Sequence, residues 1–144
     1  MEILIVLAVL GLIFAVVLPQ FSKIREGQVL KSAVEDILSS LDKARSQTLS
    51  SLNSLEYGVH LQSDKVIIFK GKVFSALASD NETINIATPA SISNVTLGGV
   101  SSTSGNIYFN RLSGAPSTTG TITILTPSYS KIITLSGTGV VSVN

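Results

Sequence analysis

The 144-residue chain is long enough for one compact domain, and its ten basic and nine acidic residues leave a net charge of +1. It has no cysteine, which excludes a disulfide framework and a thiolate metal site, and the near-zero charge gives no global field for gathering nucleic acid or anionic lipid. Charged residues make up only 13% of the chain, so the polar surface must come from the Ser, Thr and Asn of its second half, a composition suited to β-structure on an exported surface.

The first element is a run of sixteen apolar residues from Ile3 to Leu18 behind a single carboxylate, Glu2. As a helix it spans about 24 Å, just short of the ~20 residues that cross a bilayer comfortably. A cleaved signal peptide fits badly: the residue in front is acidic, and Pro19-Gln20-Phe21 follows with no Ala-x-Ala site. A plain membrane anchor leaves Glu2 unexplained, because a carboxylate inside a membrane costs at least roughly 2.5 kcal/mol and implies a partner. Pro19 lacks an amide donor and clashes with the carbonyl four residues back, so the helix is expected to kink or loosen near Ala15. With Gly11 as a second weak point, Gly11 to Pro19 is the place for this helix to stretch or melt locally.

Helical periodicity then replaces uniform apolarity. Phe21, Ile24, Leu30, Val34, Ile37, Leu38, Leu41, Ala44, Thr48 and Leu52 recur at steps of mostly three and four, predicting an amphipathic helix with one apolar stripe. The charges between them, Lys23, Arg25, Glu26, Lys31, Glu35, Asp42, Lys43 and Arg45, read as a solvated face. This divides the chain into 1–22, an apolar helix; 23–53, an amphipathic helix packed on the domain; and 54–144, a β-rich domain.

Short strands are predicted at Tyr57–Leu61, Val66–Phe69, Thr83–Ala87, Ile92–Leu97, Asn106–Asn110, Thr121–Leu125, Lys131–Leu135 and Val140–Val143, many alternating apolar with Ser, Thr or Lys. Turn residues such as Ser79-Asp80-Asn81 and Ser136-Gly-Thr-Gly139 separate them. The Gly98–Gly105 stretch, rich in Ser, Thr and Gly, reads as an exposed loop. The fold class is therefore α+β: a long N-terminal helix whose second half, residues 30–52, lies across one face of a small antiparallel sheet system.

Little chemistry is on offer. His60 is the only histidine; a lone His on a strand reads as a surface or edge residue, and neither a catalytic triad nor a transition-metal site can be built around it. Asp80, Asn81 and Glu82 lack the alternating pattern of a calcium loop and read as a turn. Asn81-Glu-Thr and Asn94-Val-Thr match the glycosylation sequon, a pattern of low specificity. No phosphate-binding glycine motif occurs, so no cofactor is expected. The tightest basic group of the β domain, Lys65, Lys70 and Lys72, is a weak nucleic-acid candidate, outweighed by its reading as solvated hairpin charge.

Glu2, the apolar run, Gly11, Pro19 and Phe21, followed by an amphipathic helix and a β domain, together resemble the type IV pilins and the pseudopilins of type II secretion. The Glu2-to-Pro19 interval matches theirs. Members carry three or four residues before the glutamate where this chain has Met1 alone, so the resemblance implies either a sequence that starts a few residues late, the favoured reading, or an atypical mature start, and places no terminal methylation on Met1. The segments Asn106–Gly114, Gly120–Leu125, Lys131–Leu135 and Gly137–Val141 are similar to the general secretion pathway protein H class of minor pseudopilins and its pilus counterparts. DNA binders of that class carry an arginine-bearing last strand, whereas Gly139–Asn144 has no positive charge.

The resemblance implies a non-enzymatic structural subunit of a type IV pilus-like filament, first a membrane-anchored precursor and then extracellular. Its partners would be further copies, the inner-membrane assembly machinery and prepilin peptidase. Glu2 would pair with a neighbour's terminal amine, and Gly11, Pro19 and Phe21 would serve assembly. The alternatives are a minor pilin or pseudopilin and, from another class, a membrane-anchored surface-binding domain that does not polymerise.

Overall fold

The computed structural model describes residues 2–50 and 54–144, the side chains of Val16, Leu18 and Pro19 excepted. Met1, and Leu52 at the end of the expected apolar stripe, lie outside the described residues. Among the described residues one α-helix, α1, runs from Glu2 to Leu49, about 72 Å at 1.5 Å per residue, and nine strands follow: β1 Tyr57–Leu61, β2 Lys65–Lys70, β3 Glu82–Asn85, β4 Ser91–Leu97, β5 Val100–Ser102, β6 Gly105–Tyr108, β7 Gly120–Leu125, β8 Ser130–Leu135 and β9 Val141–Val143.

They form two antiparallel sheets, ordered β3-β2-β1-β6 and β5-β4-β7-β8-β9. This is the expected pilin-like α+β arrangement. The strand β5 departs from the expectation of a loop over Gly98–Gly105. Gly98 and Gly99 both take positive φ, 57° and 84°, and Leu97 pairs with Val100 across them. Two consecutive left-handed residues make the tight hairpin turn whose twist suits paired strands, so Ser/Thr/Gly composition here encodes a hairpin.

The second half of α1 buries one stripe, Leu30, Ala33, Val34, Ile37, Leu41, Ala44 and Thr48, whose three- and four-residue steps keep them on one face. Against it lie alternate residues of both sheets: Val59 and Leu61, Val66 and Ile68, Ile107, Ile122 and Ile124, Ile133 and Leu135. At the end of the helix the buried Thr48 hydroxyl donates to the Ala44 carbonyl at 2.8 Å and accepts from the Tyr57 amide at 2.9 Å. It thereby fixes where β1 departs from α1. Gly120 is demanded by close packing, since a Cβ there would lie 1.9 Å from the Thr96 carbonyl oxygen of the paired strand β4.

The charged face of α1 is more than a solvated surface. Lys43 Nζ reaches both Glu82 carboxylate oxygens at 2.6 and 2.7 Å, fastening edge strand β3 to the helix. Arg45 donates from Nε to the Gly114 carbonyl at 3.1 Å and from a terminal nitrogen to the Thr138 carbonyl at 3.0 Å. Glu26 accepts from the Ser128 amide at 3.0 Å in the β7–β8 turn. Three charges thus tie α1 to β3 and to loops of the second sheet, whereas Lys31 and Glu35, 3.9 Å apart and largely in water, form a weak surface pair.

Candidate assembly site

The first half of α1 makes no core. Ile3, Leu4, Ile5, Val6, Leu7, Leu12 and Phe14 are all exposed, and the exposure extends through Phe21 (64%) and Ile24 (58%) before burial begins near Leu30. Apolar area of this extent on a folded chain requires another apolar phase, lipid or protein, because each Leu, Ile or Phe left in water forfeits about 1.5–3 kcal/mol. α1 is long and apolar enough to cross a membrane.

Glu2 occupies the first turn of α1 and is exposed. That turn has unpaired amides and the positive end of the helix dipole, so a carboxylate is tolerated there better than further along the run. Gly11 has nothing within 4 Å of the point where a Cβ would sit, so no contact within the chain requires glycine. The helix passes through Gly11 and Pro19 without interruption in the isolated subunit. The local melting expected there concerns the packed state.

The other candidates are absorbed by the fold. Lys70 pairs with Asp80 at 3.1 Å; Lys72 pairs with Glu56 at 3.7 Å and sits 5.9 Å from the Tyr108 ring centre. Lys65 lies at the start of β2, opposite Asn85. The three lysines therefore do not form one open basic patch. The Lys70 ammonium beside it, with a backbone hydrogen bond, holds the Asp80 carboxyl below its ordinary value of 3.8. Asn81 donates to the Ser75 carbonyl at 2.7 Å, so Asp80 and Asn81 form the turn into β3, and Lys70 and Lys43 hold Asp80 and Glu82 at its two sides. Among the described residues no group of three or more His, Asp or Glu is placed to hold a metal ion.

His60 is a correction. It is buried on a strand flanked on both sides, hydrogen-bonds through Nδ1 to the Asn106 side chain, and stacks on Phe74 at 3.9 Å between ring centres. The segment after β2 folds back to cover the outer face of the first sheet, and no sequence period announces that.

A long helix, uncovered in its first half and packed on antiparallel sheets in its second, defines the class: a pilin-like fold with an N-terminal helix long and apolar enough to cross a membrane. A profile of the family described as type II transport protein GspH matches residues 33–139, and the chain belongs to that family of non-enzymatic type II secretion pseudopilins. No curated protein and no solved structure matches the chain. The leading expectation of a bulk pilus subunit finds no specific support; membership favours the pseudopilin alternative.

Proposed function

We propose that this chain is a minor pseudopilin: a low-copy subunit of the short pilus-like filament of a type II secretion apparatus, inserted through its apolar helix and working by position. The observation that supports this reading most directly is the juxtaposition of a folded family domain with an apolar helical run, Ile3 to Leu18, whose described side chains are exposed. Residues Ile3 to Leu18 are as apolar as lipid, so leaving the bilayer is tolerable only where neighbouring helices cover the same surface. Burial at ~25 cal/mol per Å² over many side chains is ample to hold the subunit in such a bundle.

Glu2 then acts as a register pin. In a dry bundle its carboxylate is costly unless it meets a cation, and the terminal amine of an adjacent subunit supplies one. Gly11 and Pro19 supply compliance, letting the helix lose regular hydrogen bonds between them as subunits rise past one another. The partners are the other filament subunits, the inner-membrane assembly machinery and the peptidase that processes such precursors.

The deciding experiment is stoichiometry. Filaments sheared from cells, quantified by mass spectrometry, should contain this chain at a small fraction of the principal subunit, and deletion should abolish secretion. Finding it as the bulk component would return the reading to a major pilin; finding it only as membrane monomers would favour the anchored binding domain.

A further inference from the structure

One side of α1 carries an unbroken alternation of three- and four-residue steps, Ile24, Gly27, Lys31, Val34, Leu38 and Leu41, of which Val34 and Leu41 are buried in the chain's own core while the other four keep some exposure. Each of these residues lines a groove. The middle groove, about 380 Å³, lies between α1 and the second sheet, walled by Val143 of β9 and Lys131 of β8. A second, about 290 Å³, shares Leu38 with it and continues past Leu41 to the loop before β9. A third, about 230 Å³, continues the steps backward through Gln20 to Val17.

Residues at three- and four-residue steps share one face of a helix, and such a face can form the seam of a second helix packed along it at about +20°. Gly27 stands in the seam with nothing within 4 Å of its would-be Cβ, the kind of gap that lets two helix backbones approach closely in an apolar setting. The floor is apolar, while Lys31, Glu35 and Lys131 stand at the rim, the division found in protein interfaces.

From Ile24 to Leu41 the seam runs about 26 Å, and the naked run Ile3–Leu18 is about 24 Å. The seam is also continuous with the exposed face through Ile24, so whatever covers the first half of α1 is already aligned to enter it. From this we infer that the α1–β9 groove is the seat of the apolar amino-terminal helix of a neighbouring filament subunit. The inference rests on the filament reading and deepens it: the folded domain, as well as the anchor, would grip the neighbour's helix.

The test uses the full chain in cells carrying its own secretion apparatus. The photo-reactive residue benzoylphenylalanine is placed at Val143, with Lys131 as a second site should the first perturb β9, and Leu77 on the segment after β2 as control. Cross-links from either groove site should map by mass spectrometry to the first apolar segment of another subunit, absent from Leu77. Gly27→Leu should cause loss of that cross-link with little change in melting temperature, since its Cβ would have nothing of its own chain within 4 Å and the rest of the side chain would fill the open groove.

Cross-links that map to a partner's β domain, absence of cross-links from a chain recovered in filaments, or undiminished yield in Gly27→Leu each overturn the inference while leaving the proposed function standing. A chain recovered in no filament overturns both.

Discussion

At the scale of single residues, the charged side chains of α1 divide by what they touch. Arg45 satisfies two loop carbonyls with a planar fork, and hydrogen bonds from a charged donor are worth about 1.5–3 kcal/mol each before solvent screening. Because the site is only half-buried, Arg45→Ala should cost about 1–3 kcal/mol, read as a lowered melting temperature of the detergent-solubilised chain. Arg45→Lys should recover little, since an ammonium cannot span both carbonyls with the same geometry. Full recovery by lysine would show that charge alone matters there.

Asp80 gives the pH dependence at this scale. Its folded-state value is depressed by Lys70, so its contribution to stability is present in full above 3.8 and lost as pH falls through the lower folded value. Carboxyl carbon NMR should find Asp80 titrating below 3.8, and Lys70→Met should return it toward that value. Glu2 belongs to assembly: Glu2→Leu should leave the β domain's melting unchanged while reducing incorporation into filaments. Normal incorporation would remove its role as register pin.

At the scale of elements, what was legible follows from periodicity and what was missed follows from contacts. The 3.6-residue stripe of α1 and the alternation in β7 and β8 come from burying one face, and both are written in the chain. Strand β5 was hidden because Val100-Ser-Ser buries nothing, leaving the Gly98-Gly99 turn as its one signal. Arg45, Glu26 and Lys43 looked like solvent charges because their partners lie at least 39 residues away. The same holds for His60, whose cover, Phe74, arrives from a segment with no period. On the assembly surface, Glu2, Gly11 and Pro19 stood out by chemical type, whereas the groove beside β9 needed the sheet to be folded before it had a second wall. The tightest element contact gives a direct check: Gly120→Ala would drive a Cβ into the Thr96 carbonyl. The β4–β7 pair should yield at a cost on the order of 3 kcal/mol, and hydrogen exchange should accelerate in the second sheet before the first.

At the scale of the whole molecule, α1 is one helix with two solvents. Its buried stripe begins at Leu30, and the one described hydrogen bond from further back along α1 to the β domain comes from Glu26. Folding of the domain therefore does not draw on residues 2–22, and membrane or filament does not draw on the sheets for the apolar run itself. A chain beginning at Lys23 should be soluble without detergent and keep the full β signature in circular dichroism. Its melting temperature should lie within a few degrees of the detergent-solubilised parent, since the removed segment contributes nothing to the core. It should also fail to enter filaments, having lost the surface that neighbouring helices would cover. Aggregation or unfolding of the shortened chain would mean that the apolar half of α1 also stabilises the domain, and the separation between anchor and fold would have to be redrawn.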